Sequence, residues 1–325
     1  MDTKAYREFL NAIGYTEPQI EGCVDAVARF EADIESAGRT LETATGEDVH
    51  GFAARRIAAG ANDRISLIGI YQMGQMLKNH PMTVGALDLI DGYEILGNLH
   101  RFVGEILGPD AQARIFAGVE LPVLGAPPLE WTRVMSVVLP RLEAEADRET
   151  VEHILGSGLR NLRDEFYADF KGRYEEAESL DAFLADRKAR HDATLRAHRD
   201  EGTLYFNQRI TDEVLDFVAA HPEIGGGVRS GDTVIEIKIP HMSPEYLATD
   251  DRRMKQYYVC HCPCVKESIL RDDLEISPTV CSFCPSFNAK PWEVTFGRRL
   301  KTEVLESALR GDLWCKFAIH LPEGV

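Results

Sequence analysis

The chain has 325 residues, long enough for two or three domains that each bury a core. Its 44% hydrophobic and 27% charged residues are the proportions of an ordinary soluble globular protein. The formal net charge of −17 repels phosphate backbones, so nucleic acid is not an expected partner. Charges interrupt the apolar runs short of the roughly 18 residues a membrane span needs, so no membrane partner is expected. The opening Met1-Asp2-Thr3-Lys4-Ala5-Tyr6-Arg7-Glu8 lacks the apolar core of a signal peptide. A cytoplasmic location with reduced thiols is therefore expected.

Up to about residue 220 the periodicity is helical. Thr16-Glu17-Pro18-Gln19 reads as a helix start, with Thr16 as cap, Pro18 in the first turn and Gln19 closing a capping box. Ile20, Val24, Val27, Ala28, Phe30 and Ile34 then follow mostly on one stripe, beside which Cys23 reads as core. Thr45-Gly46-Glu47-Asp48 opens a second helix and Asn62-Asp63 a third, which carries Met73 and Met76 as core and stops at Asn79-His80-Pro81. Further helices are expected over 83–117, 128–146, 148–156, 160–176, 179–201 and 211–220, with Pro122, Gly125, Pro127 and Pro128 marking 119–128 as a linker. His191 and His198, two turns apart among charged residues, read as a solvated face.

Beyond residue 230 the pattern changes. Thr233-Val234-Ile235-Glu236-Ile237-Lys238-Ile239-Pro240 alternates as a strand with one buried face. Gly225-Gly226-Gly227 before it reads as a turn, since no phosphate-binding spacing accompanies it. Residues 300–321 read as a hairpin, with Leu313, Cys315, Phe317, Ile319 and Leu321 on one face and Arg310-Gly311-Asp312 as the turn. The fold class expected is α+β: a large all-helical N-terminal region, 1–118 and 129–222, then a smaller mixed domain over 230–325 with a cysteine-rich metal site.

Six of the seven cysteines fall in the last third of the chain. In an extended Cys260-His261-Cys262-Pro263-Cys264 the three thiols would share a face and His261 would point the other way. Cys281-Ser282-Phe283-Cys284 follows at nearly the spacing of a paired-cysteine zinc template, although the first pair is one residue too tight. Candidate ligands are Cys260, Cys262, Cys264, Cys281, Cys284 and Cys315, and the expected cofactor is zinc; buried free thiols are the alternative. His261 is the candidate catalytic imidazole. Trp131, Trp292 and Trp314 could line a ligand pocket or simply pack.

Two segments resemble known families. The first ninety or so residues, with TATGEDVHGFAARRIAAGANDRISLIGIYQMGQMLKN in the place of the second and third helices, resemble the SAM-like helical N-terminal domain of phage-type integrases. No integrase catalytic constellation follows, and residues 1–100 hold fifteen Asp/Glu against eight Lys/Arg, the wrong balance for a DNA clamp. A helical packing or homodimerisation module is the expectation. CSFCPSFNAKPWEVTFGRRLKTEVLESALRGDLWCKFAI resembles the end of the four-vinyl-reductase domain, a small-molecule-binding module. Cys281 and Cys284 match its cysteine pair, Gly297 its helix end, Gly311-Asp312 its turn and Cys315-Lys316-Phe317-Ala318-Ile319 its last strand. The family's middle cysteine falls on Ser307, so one of Cys260, Cys262 and Cys264 would have to supply the missing thiolate. The end of the thiazoline-carboxylate hydrolases is a shorter match.

The function expected from this reading is a zinc enzyme acting on a small organic molecule, by hydrolysis or thiol-dependent cleavage, at a pocket beside the Cys260–Cys284 cluster. The alternative is a non-catalytic small-molecule-binding sensor or scaffold with a structural zinc.

Overall fold

The computed structural model describes residues 1–160 and 162–324. Residue 161, within the expected 160–176 helix, and the terminal residue 325 lie outside the described residues. The chain divides into two compact units, residues 1–97 with 120–134, and residues 98–119 with 135–325. Among the described residues no helix is long and apolar enough to cross a membrane.

The first unit is helical. It contains α1 (Thr3–Ala12), α2 (Glu17–Glu35), α3 (Gly46–Ala58), α4 (Arg64–Leu77) and the start of α5 (His80–Leu107). Its helix starts are those the sequence marks. Gln19 accepts from the Thr16 backbone N–H at 2.9 Å, the Asp48 carboxylate accepts from the Thr45 N–H at 2.8 Å, and Asp63 accepts from the Ser66 N–H at 2.7 Å. Lys78, at φ +56°, ends α4 in the left-handed region. The Asn79 side chain donates to the carbonyls of Leu41 and Ala44, both at 2.8 Å, and so ties the next helix start to the 41–44 loop. Tyr6, Cys23, Phe30, Ile70, Met73 and Leu89 are buried together in its core, with Met76 packed against them.

The expected helix over 83–117 begins early and is two helices. Gly108 at φ +86° and Pro109, which lacks an N–H, break it between α5 and α6 (Pro109–Ile115). The helices α7 (Pro128–Glu145), α8 (Arg148–Arg160), α9 (Ala168–Glu176), α10 (Leu180–Glu201) and α11 (Asp212–Ala219) follow. A tight turn at Asp164–Tyr167 occupies the start of the expected 160–176 helix. The region before residue 220 is also not wholly helical. A two-stranded ribbon, β1 (Leu204–Tyr205) and β2 (Gln208–Arg209), turns at Phe206 with φ +50°. Strands two residues long leave no alternation to read.

The second unit is built on a four-stranded antiparallel sheet, order β3 (Val228–Ser230), β4 (Thr233–Ile237), β6 (Lys316–His320), β5 (Thr302–Glu306). The expected pairing of the 234–240 strand with the C-terminal hairpin is present: Val234 stands opposite Ile319 and Glu236 opposite Phe317. The 307–315 connection is longer than the expected three-residue turn, because Ser307 and Asp312 hydrogen-bond across it. Between β4 and β5 lie α12 (Ser243–Ala248), α13 (Arg252–Val259), α14 (Lys266–Ile269) and α15 (Phe283–Phe296).

Both faces of the sheet are covered, which overturns the expectation of one buried face. Val234, Ile319 and Leu321 pack with Leu180, Phe183 and Leu184 of α10 and Ala289 and Trp292 of α15. Ile237 and Ile239 pack with Leu195, Val214 and Val218. Glu236, which the alternation placed on a wet face, is only 2% exposed; Arg187 pairs with it and the Asn288 amide donates to it. Gly225-Gly226-Gly227 is an approach point to α10: a Cβ on Gly225 would stand 2.2 Å from the His191 ring. His191 and His198 are accordingly not on a solvated face. Both pack edge-on to Tyr205, and His198 Nδ1 lies 2.8 Å from Thr203 Oγ1.

The tryptophans pack rather than line a pocket. Trp131 donates to the Ala126 carbonyl at 2.8 Å, Trp292 lies among Phe170, Tyr174, Phe183 and Phe296, and Trp314 stacks on Phe217.

Candidate metal centre

Three segments bring cysteines to the end of the sheet. Cys260 is the last residue held by α13, its N–H donating to the Tyr257 carbonyl at 3.3 Å. The chain stays extended only as far as Cys262. The N–H groups of Val265 and Lys266 then donate back to the Cys262 carbonyl at 3.2 and 3.0 Å, closing a turn. That turn corrects the expectation of three thiols on one face. Cys260 and Cys262 line a cavity, whereas Cys264 is buried outside its lining and hydrogen-bonds Cys262 from beside it.

The second segment is the tight turn Pro278–Ser282 leading into α15. It carries Cys281 at its end and Cys284 in the first turn of the helix, three residues apart and so on one side of it. Ser277 anchors this entry by donating to the Glu143 carboxylate at 2.6 Å. Cys315 comes from the third segment. Its carbonyl accepts from the Lys238 N–H at 3.0 Å, which extends the β4–β6 ladder, and it shares a sheet face with Phe317 two residues on.

Cys260, Cys262, Cys281, Cys284 and Cys315 thus line one cavity, walled otherwise by apolar side chains such as Val265, Val280 and Phe317. Its free volume is about 20 Å³, room for one water-sized body rather than an organic molecule. Among the described residues no three His, Cys, Asp or Glu side chains converge closely enough to hold an ion as they stand. The wall also contains Ser307, 1% exposed, whose Oγ has no hydrogen-bond partner beyond the adjacent Cys281 thiol. A buried hydroxyl left in this way is costly unless something in the cavity engages it.

Burial dominates the electrostatics. It pushes the Cys260 thiol up to about 12, and it raises those of Cys281, Cys284 and Cys315 as well. The Cys262 thiol is raised first by its hydrogen bond with Cys264 and then by burial. As they stand these are protonated thiols and poor nucleophiles at neutral pH; a soft divalent cation would have to displace the protons to make ligands of them. Cys315 has Cys284, Cys260 and Cys281 as near neighbours, and Cys281 has Cys284, Cys260 and Cys262.

His261 is not on the cavity. Its Nε2–H donates to the Ile239 carbonyl at 2.7 Å, and its ring lies 5.2 Å from that of His241. Burial, then Lys238 and His241, hold it well below the ordinary histidine range and therefore neutral. Cys23, by contrast, is plain core, its thiol raised to about 11 by burial.

Ser307, in the cavity wall, is not legible in the pattern of cysteines and appears only through its place in the resembled motif. No family model, curated protein or solved structure matches the chain.

Proposed function

We propose that this chain is a non-catalytic zinc-binding module, in which a thiolate centre clips the 260–265 turn and the start of α15 to the end of the sheet. The observation that carries this reading is the arrival of five cysteines from three segments at one ion-sized cavity. The donor chemistry suits zinc, since the sulfurs exceed the four a structural zinc takes and Ser307 leaves a buried hydroxyl in the same wall; binding would draw together thiols that do not converge as they stand. Cys260, Cys281, Cys284 and Cys315 are the ligands we assign, because each neighbours the other three while Cys262 is engaged first with Cys264. Zinc would supply a crosslink and no reaction step. The alternative, hydrolysis or thiol-dependent cleavage at His261, would need substrate room that this cavity lacks and a nucleophile that burial suppresses. Seven free cysteines suit a reducing cytoplasm.

Elemental analysis tests the reading. Wild-type protein is expected to carry about one zinc per chain; Cys281→Ser loses it together with stability, and His261→Ala retains it. Protein purified with no zinc, iron or copper, and unable to take up zinc, overturns the proposal.

A further inference from the structure

We propose a second site, for a small planar organic monocarboxylate, in which Phe206 and Phe287 hold the ring and Lys238 the charge. None of these three residues lines the thiol cavity, so the site stands apart from the zinc reading.

The first observation is the strain at Phe206. It opens the two-residue turn between Tyr205 and Gln208, at φ +50°. A hairpin position with positive φ ordinarily takes glycine, and a bulky residue there is strained. Among the described residues the other non-glycine with positive φ is Lys78, where the end of α4 supplies the reason. At Phe206 the turn supplies none, and the ring is 62% exposed. Backbone strain that leaves an aromatic ring in water points to something the ring must contact.

The ring does not stand alone. It meets Phe287 of α15 edge-on, with centroids 6.0 Å apart at 84°, so the two rings form a corner. Lys238, just past the end of β4, holds Nζ 5.6 Å from the Phe287 ring. Strand alternation puts it on the face of Glu236. Glu236 is not its partner, because Arg187 and the Asn288 amide already answer that carboxylate. Among the described residues Lys238 has no ion pair, in a chain whose Asp and Glu outnumber Lys and Arg by 53 to 36. Asn288 adds a directional group. Its Nδ2–H donates to Glu236 at 2.5 Å, which fixes the amide's orientation, and its Oδ1 is buried with no donor.

These groups select a ligand chemistry. A flat ring packs into an edge-to-face corner, and one negative charge answers one unpaired ammonium. A phosphate dianion calls for more cationic donors than a single lysine. A ring N–H gives the Asn288 acceptor its missing partner. An indole- or pyrrole-type carboxylate carries all three features.

The test is calorimetric titration of the full chain with indole-3-acetate, and with indole-3-acetamide as its uncharged counterpart. One-to-one binding at about millimolar concentration or below is expected, with the acetate about tenfold tighter than the amide. Lys238→Met removes that preference and Lys238→Arg keeps it. Phe206→Gly weakens the acetate about tenfold while the melting temperature stays level or rises, because glycine relieves the turn. Absence of saturable binding to wild type overturns the proposal. So does acetate affinity within twofold of wild type in both Lys238→Met and Phe206→Gly. A Phe206→Gly chain that melts well below wild type overturns it too, since the ring would then serve the fold. Zinc content is measured separately, so the two proposals fail separately.

Discussion

Glu236 lies between the sheet, α10 and α15 with its charge answered by Arg187 and by the Asn288 amide. Arg187 also donates to the Gly226 carbonyl at 2.9 Å, so one guanidinium ties α10 both to the strand and to the turn before it. Removing only Arg187 would leave a carboxylate buried and under-compensated. Arg187→Met is expected to cost about 3 kcal/mol in denaturant unfolding, and Arg187→Met with Glu236→Gln to recover part of it. A double variant no more stable than the single one would show that the pair is not the coupled unit drawn here. At this scale the sequence was readable where chemistry is loud. Cys260, Cys262, Cys281 and Cys284 can be placed near one another from spacing, Cys315 only from its place in the resembled motif, and Cys264 cannot be separated from them. Its departure depends on two backbone hydrogen bonds to the Cys262 carbonyl, and backbone bonds leave no mark on side-chain spacing.

Elements were legible in proportion to their length. The caps at Thr16, Thr45 and Asp63 and the pairing of β4 with β6 follow from local rules that the tertiary structure does not override. The β1–β2 ribbon was missed for lack of periodicity. The second covered face of β4 was missed because a buried ion pair reads, in one dimension, as an exposed charge. Gly225-Gly226-Gly227 is the turn its composition implies, and it is also the contact that lets the chain lie on α10. Gly225 has φ +79° as well as the His191 ring in the space of its missing Cβ. Gly225→Ala should therefore combine backbone strain with a clash and cost about 3 kcal/mol by denaturant titration. A loss below about 0.5 kcal/mol would mean that α10 yields easily and that the contact does not position it.

The two units of the molecule carry buried titratable groups of opposite sense. In the first, Asp91 on α5 is raised to about 7, mainly by burial and then by Asp88 and Glu94, with Arg64 only partly offsetting them. Its folded form holds a proton that the unfolded chain gives up near pH 4, so this unit loses stability as pH rises from about 4 to 7. In the second, His191 is lowered to about 4 by burial and by Lys188 and Arg187, with Asp192 opposing. Its folded form refuses a proton that the unfolded chain accepts near pH 6.5, so this unit loses stability as pH falls from about 6.5 to 4. Each effect is limited to roughly 3–4 kcal/mol, the free energy of a shift of that size. Scanning calorimetry between pH 7 and 5 should then show two transitions moving in opposite directions, the first unit's upward and the second's downward on acidification. Asp91→Asn should flatten the first response and leave the second, and His191→Gln should do the reverse. Chelator treatment at pH 7 should lower the second transition alone, since the proposed zinc ligands lie wholly within residues 260–315. Two transitions that move together in every variant would mean that the units unfold as one body and that neither group governs its own.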